Sequence, residues 1–472
     1  MAGHTLSKST FIRARQCVKS LYLNKFHGNL RDRISPEQLA KFRRGTDIGK
    51  LARDLFPGGI DMSPRSPTQY QKKAEETASA MLNPAFSVIY EAVVKHNDVL
   101  IMLDILVRNK QGWDAYEVKS SLSVSETYQT DAALQYYVLN GAGIDILNFY
   151  LVFVNKDYIF EGELILHQLF TSISVIDQVK ARLNEMESDI DHYKQILASG
   201  LVPEVPIGKQ CHAPYPCDFI GHCWKNVSKT SILKLNAFPE AQLLGWFNEG
   251  IFEAEQIPSS MQLTGLQQKQ IQSMVSHEVY WNKEELKKLV RPTRGASTVF
   301  MKTVLINPAL PTRQGNKPYQ PELLAIAITE NGEQTEVFYF DQAKYLKSGS
   351  ILQKINSIVN SYQHIILFDA PDFKQFMHFQ HETEITEDLS NKIFDLKEAL
   401  SALDFYHPQI DNYTDFDEVT RSMLQTKAPL KNETYLVSDL LATPEGNYFI
   451  KNSLSQYVKY LYQLYNLFNF QD

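Results

Sequence analysis

Long apolar runs are missing from this chain of 472 residues, and so are internal repeats and low-complexity tracts. The greasiest stretch, Tyr136 to Val154, is interrupted by Asn140, Asp145 and Asn148, too polar for a bilayer core. No apolar segment with a small-residue cleavage site occupies Met1 to Lys8, so no secretory signal is expected there. These absences point away from a membrane protein and toward a cytoplasmic one. Cysteine is scarce, with four in all, and in a cytoplasmic chain clustered cysteines bind metal more often than they form disulfides. An excess of positive charge is lacking as well. The formal net charge of -7 argues against a chain that coats nucleic acid along its whole length. What remains is an ordinary globular composition, 44% hydrophobic and 21% charged, long enough for two or three domains.

Charge is unevenly spread. Residues 1–73 hold fifteen Lys and Arg against five Asp and Glu, among them Arg13, Arg15, Lys19, Arg31, Arg33, Lys41, Arg43 and Arg44. A basic segment on an acidic remainder suggests one local polyanion site; a solvated helix face is the plainer alternative. Composition and pattern divide the chain near residues 228 and 291. In the first part, helices are expected over Phe11–Phe26 after Ser9 and Thr10, from Pro36 to about Leu55, and over Gln69–Leu82. Strands follow at Ser87–Lys95, Val99–Arg108 and Trp113–Ser120. A helix near Ser125–Leu139, introduced by Ser123-x-x-Glu126, then a strand Leu147–Val154 and a helix Ser172–Ala198 complete it. Residues 229–290 read as a connector of short helices. Beyond it, strand-like runs (Thr298–Leu305, Leu323–Ile328, Glu336–Tyr339, His364–Phe368) alternate with helical ones, ending in a helix Leu454–Phe468. The fold class is α/β in both larger parts.

Val99 to Val107 is nearly all apolar, the mark of a strand buried on both faces, yet it contains Asp104. A carboxylate there is costly unless paired or bound to metal. Asn109-Lys110-Gln111-Gly112 fits a four-residue hairpin loop, and pairing Arg108 with Trp113 sets Asp104 opposite Glu117. Their Cβ atoms would be roughly 5 Å apart. Lys119, two residues on, shares the face of Glu117. Asp104 and Glu117 offer hard oxygens to Mg²⁺ or Mn²⁺, and the Val118 carbonyl offers a third. Lys119 would orient or deprotonate an attacking water and stabilise charge on a phosphate. The bland alternative is a structural salt bridge. Glu91, reached through a tight turn at His96-Asn97, faces the side of Asp104. Gln135 lies four residues after Asp131 on one helix face, as a site residue or a solvent-facing amide.

Cys211, Cys217 and Cys223 are evenly spaced in an irregular, proline-containing segment, with Cys17 far upstream. Four thiolates suit an iron–sulfur cubane; zinc competes, because His212 and His222 stand beside the cysteines. Either metal would tie the start of the domain to its end.

Cys17, Glu91, Asp104, Glu117-Val118-Lys119, Gln135 and Cys211, Cys217 and Cys223, in this order, resemble the iron–sulfur nucleases of the PD-(D/E)XK superfamily, over roughly residues 10–228. The similarity is to the RecB-like exonucleases of CRISPR adaptation and to AddB-type repair nucleases. Tyr116-Glu-Val-Lys-Ser-Ser121 and Cys211-His-Ala-Pro-Tyr-Pro-Cys217 are similar to a bacterial branch of that family. The resemblance implies a restriction-endonuclease-like core stapled by a 4Fe–4S cluster on the four cysteines. It also implies catalysis at Asp104, Glu117 and Lys119, with Gln135 positioning DNA. Two departures stand out: Gly45-Thr-Asp-Ile-Gly49 lacks the histidine relatives carry, and Leu139 replaces their tyrosine.

In the same branch a domain resembling DnaQ-type exonucleases, of RNase H-like fold, follows. Residues 298–425 resemble it through Pro311, Gly315, Pro318-Tyr319-Gln320, Asp395-Leu396 and Tyr406-His-Pro408. Such enzymes need Asp-x-Glu on their first strand; Val299-Phe300-Met301-Lys302-Thr303 has none, so this domain reads as a non-catalytic scaffold or protein-binding surface. The connector, with Gly250 and Leu263-Thr-Gly265, carries a faint likeness to a DNA-contacting helical hairpin. The expected function is a Mg- or Mn-dependent deoxyribonuclease acting on single-stranded DNA or ends, in repair, mobile-element or defence settings. Arg13, Arg15, Lys19, Arg43 and Arg44 would contact the DNA backbone. A non-cleaving nucleic-acid-binding or assembly protein is the alternative.

Overall fold

The computed structural model describes residues 5–470 except 259, 291–292, 294–295, 341–348, 380–388, 403–404, 411–414 and 426–443. The chain divides into two compact units, Met1–Asn226 and Val227–Asp472, each α/β. The division falls at Asn226, and residues 229–290 lie in the second unit.

The first unit opens with β1 (Leu6–Ser7), α1 (Lys8–Gln16) and α2 (Val18–Phe26). Ser7, rather than Ser9 or Thr10, caps α1 by accepting from the Thr10 N–H. The single helix expected over Phe11–Phe26 is broken at Cys17, whose backbone is extended. Next come α3 (Pro36–Ala52), β2 (Ile60–Asp61) and α4 (Tyr70–Leu82). The Ser35 hydroxyl and the Gln38 side chain cap α3 reciprocally, with Pro36 in its first turn.

Strands β3 (Val88–His96), β4 (Val99–Arg108) and β5 (Trp113–Lys119) form an antiparallel meander. Helix α5 (Glu126–Gly141) then crosses to β6 (Ile146–Val154), which runs parallel to β5, and β7 (Phe170–Ser174) closes the edge. The sheet order is β2-β3-β4-β5-β6-β7, with β1 against β4. Ser125, not Ser123, caps α5. Residues 172–174, expected to be helical, form β7; the alternation Phe170-Thr-Ser-Ile-Ser174 suits an edge strand better than a helix start. Two helices follow, Ile176–Ala181 and Leu183–Ser199, and the second ends on Gly200 in the left-handed conformation. Side chains from α1, α5 and Leu183–Ser199, including Phe11, Leu134, Met186 and Ile190, share one core with Ile89, Ile101, Leu103 and Phe149 of the sheet.

In the second unit, short helices such as Glu240–Asn248 and Gly265–Ser276 pack around Ile232, Leu243 and Met274. A five-stranded sheet follows: β8 (Thr298–Ile306), β9 (Glu322–Thr329), β10 (Glu336–Tyr339), β11 (His364–Leu367) and β12 (Ile393–Asp395). Its order is β10-β9-β8-β11-β12, with β8, β9 and β10 antiparallel and β11 and β12 parallel to β8. The last helix, Pro444–Phe470, extends the expected one at its start. Among the described residues no helix is long and apolar enough to cross a membrane.

Candidate active site and thiol pocket

Arg108 pairs with Trp113 and Ile105 with Tyr116, the register the hairpin loop predicts. Continuing it sets Asp104 across from Glu117. The backbone ladder stops there, and Asp104 takes over as acceptor: its Oδ2 receives the Val118 N–H at 2.6 Å. Glu117 is only 1% exposed. Its Oε1 accepts from Lys119 Nζ and from Lys8 Nζ, both at 2.7 Å, while Oε2 has no partner. Lys119 Nζ also donates to Asp131 Oδ2 at 2.5 Å, leaving Asp131 Oδ1 unpartnered.

The β3–β4 turn is Asn97-Asp98, both at positive φ, one residue later than expected. That shift brings Glu91 opposite Asp104 rather than diagonal to it, between the pairs Tyr90–Ile105 and Ala92–Leu103. Glu91 itself sits at φ 51 in mid-strand, a strained conformation for a non-glycine residue and one that collects at functional sites. Arg53 Nη2 holds its Oε1 at 2.9 Å. Gln135 is fully buried, not solvent-facing, and neither atom of its amide has a partner. Four atoms of three side chains, Glu117 Oε2, Asp131 Oδ1 and the Gln135 amide, are thus buried and unsatisfied. Native interiors rarely tolerate this without a ligand or water.

Burial, reinforced by Glu117, pushes the Asp104 carboxyl up to about 8. Burial acts on Glu117 too, but the Lys119 and Lys8 ammoniums outweigh it and hold that carboxyl below its ordinary range. Burial likewise raises Glu91, against the pull of Arg53. For Lys119, desolvation is overcome by Asp131 and Glu117, which hold it protonated beyond the usual lysine range. An ammonium so held donates hydrogen bonds and offsets negative charge. That is the electrostatic one of the two roles expected of Lys119.

Lys8, Asp131 and Arg53 complete the group and were not singled out from sequence. Two carried a signal. Asp131 interrupts an apolar helix, and Lys8 stands in the first turn of α1, where a cation opposes the helix dipole.

The four cysteines form no disulfide and line one largely apolar pocket with Leu23, Pro206 and Phe219. Neither His212 nor His222 lines it, so no imidazole is among its donors. Burial raises the Cys17 thiol, against hydrogen bonds from the Ser20 and Lys19 backbone, and raises Cys223. Buried thiolates of this kind are stabilised by metal rather than by water. The break between α1 and α2 is what turns Cys17 into the pocket.

Among the expected DNA contacts, Arg13 and Arg15 have partners inside the unit: Arg13 binds Asp218, and Arg15 Nη1 lies 2.6 Å from both Glu185 and Asp189. These ion pairs tie α1 to neighbouring segments. Lys19 borders the thiol pocket, Arg43 is exposed and Arg44 half-buried on α3.

In the second unit, Lys302 on β8 lies with its Nζ 4.6 Å from the centre of the Tyr457 ring. Burial lowers its ammonium to about 8, opposed by Asp369, Asp372 and Asp417. Asp395 accepts the N–H groups of Asp369, Ala370, Lys397 and Glu398 and so caps the turn and helix that follow β11 and β12. Among the described residues no three or more His, Cys, Asp or Glu side chains are gathered closely enough to hold a single ion. In the first unit the oxygens instead surround lysine ammoniums. Compared with models of protein families and with curated proteins, the chain matches none.

Proposed function

We propose that the first unit is a metal-dependent deoxyribonuclease whose centre is Asp104, Glu117 and Lys119. The observation that carries this reading is the buried Glu117, facing Asp104 across a β-ribbon, bonded to Lys119 and left with one oxygen unsatisfied. The donors suit Mg²⁺ or Mn²⁺: Asp104, Glu117 and the Val118 carbonyl are hard oxygens, and the orphaned Oε2 is available to an ion. Such an ion would polarise a phosphodiester and supply a nucleophilic water at neutral pH. Lys119 offsets the added charge on the phosphate. Gln135 and Asp131 form the buried wall from α5, and Glu91, steered by Arg53, stands beside Asp104.

The order α4-β3-β4-β5-α5-β6, with a parallel β5–β6 pair, favours a restriction-endonuclease-like core. The four-thiol pocket favours a 4Fe–4S cluster as its staple, four sulfurs being what a cubane takes. We read the second unit as an RNase H-like domain from its strand order, non-catalytic because Phe300 and Lys302 stand where its relatives need carboxylates.

Purified full-length protein is incubated with labelled single-stranded DNA and Mn²⁺. Degradation that falls at least about a thousandfold in Asp104→Ala and Lys119→Ala supports the nuclease. Tight binding without cleavage by the wild-type protein overturns it in favour of a binding module. Brown protein with about four irons per chain supports the cluster. Colourless protein that prefers RNA points instead to a zinc-stapled ribonuclease.

A further inference from the structure

Helix α1 joins the acidic site to the thiol pocket. At its start, Lys8 Nζ lies 2.7 Å from Glu117 Oε1 and 3.7 Å from Asp131 Oδ2. At its end, Gln16 Nε2 donates at 2.7 Å to the carbonyls of Gln210 and Tyr215, in the segment bearing Cys211 and Cys217. Arg13 binds Asp218 there, and Cys17 itself enters the pocket. Nine residues of helix separate the two ends by roughly 13 Å.

We propose that Lys8 is the built-in cation of the acidic site, which a divalent ion must displace from Glu117, and that the cysteine segment holds Lys8 there by clamping the far end of α1. This rests on the reading of Asp104 and Glu117 as a metal site. Three facts lead to it. A lysine in the first turn of a helix works against the dipole, so helix stability does not explain its placement. Its ammonium bonds Glu117, whose remaining oxygen is unsatisfied, and approaches Asp131, whose second oxygen is unsatisfied too. Charge decides the rest. The carboxylates of Asp104, Glu117 and Asp131 balance Lys119 plus one divalent ion; with Lys8 still in place the buried site has a positive charge too many.

A cation on such a tether competes with metal. Its strength depends on how firmly α1 is held, because Lys8 can leave by swinging its side chain or by a small shift of the helix. The cysteine segment thereby sets metal affinity at the acidic site, and Lys8 acts as a positioning residue for Glu117.

Mn²⁺ binding to full-length protein, followed by the paramagnetic resonance of the free ion, tests this without any turnover. Lys8→Met is expected to bind Mn²⁺ about tenfold tighter or more, the size of one lost charge-assisted hydrogen bond. Lys8→Arg, which keeps the charge, should bind as the wild type does. Gln16→Ala should tighten binding less than Lys8→Met and add nothing in the Lys8→Met background. Thermal melts check folding, and Lys8→Gln replaces Lys8→Met should the latter not fold. Should Lys8→Met bind no tighter while Asp104→Asn abolishes binding, this inference fails and the nuclease reading stands. If neither wild type nor Lys8→Met binds Mn²⁺, both fall. A Gln16→Ala effect undiminished without Lys8 removes the clamp.

Discussion

Burial and a neighbouring carboxylate act on Asp104 in the same direction, and the sign has a measurable consequence. Its folded value, about 8, lies above the ordinary 3.8, so the folded protein holds a proton that the unfolded chain has released. The contribution of this group to stability is complete below about pH 4 and is lost as pH rises toward 8. Glu117, held low, opposes this only in strong acid. In chelator, urea denaturation should show the wild type less stable at pH 8.5 than at 5.5. Asp104→Asn should shrink the difference by about 1 kcal/mol or more, since Asn keeps an acceptor for the Val118 N–H and carries no charge. Equal pH slopes in the two proteins would rule out the buried, raised Asp104. Gln135 makes a second case at this scale. Its amide is buried without a partner, so Gln135→Leu should leave metal-free stability unchanged or raise it by about 1 kcal/mol. The same change should cut DNA degradation at least tenfold. Loss of stability instead would mean that the amide is satisfied in solution.

The hairpin β4–β5 shows how much an element can reveal in advance. An apolar run holding one Asp, a four-residue loop and a Glu-x-Lys specify which side chains face each other, because side chains alternate along a strand. The break between α1 and α2 was hidden, because residues 8–26 are helix-compatible throughout and only the distant thiols require Cys17 to leave the helix. Edge strand β7 was hidden for a related reason: residues 172–174 become a strand by pairing with β6, which local propensity does not register. Because Cys17 and Cys211 lie at opposite ends of the first unit, a metal joining them closes a very long loop. On the proposed cluster reading, Cys223→Ser should therefore lose most of the bound iron and lower the unfolding free energy by on the order of 3 kcal/mol. Metal analysis and thermal melting measure both. Full iron content in this variant would remove Cys223 from the ligand set.

For the whole molecule, the proposed nuclease reading assigns cleavage to the first unit. The carboxylates near β8 face the Lys302 ammonium, and Asp369 is paired with Lys397 at 3.0 Å. Asp369→Asn should therefore leave Mn²⁺-dependent degradation within about twofold of wild type, whereas Asp104→Asn abolishes it. The reverse pattern would transfer the activity to the second unit. The acidic chain with a basic start also behaves differently from what charge alone suggests. Arg13 and Arg15 brace α1 against Asp218, Glu185 and Asp189, so the basic segment is partly an internal fastening.

Residue order alone implied two α/β regions, a hairpin that opposes Asp104 to Glu117, and four cysteines of one set. Each follows from local periodicity, turn chemistry or the rarity of a residue type. The three-dimensional arrangement added Lys8, Asp131 and Arg53, buried Gln135, and placed Glu91 in a strained conformation beside Asp104. It also tied Arg13 and Arg15 into ion pairs within the first unit. Those outcomes depend on contacts between segments far apart in the chain, where burial makes an unpaired charge costly and so selects its partner. No local pattern of residues encodes that selection.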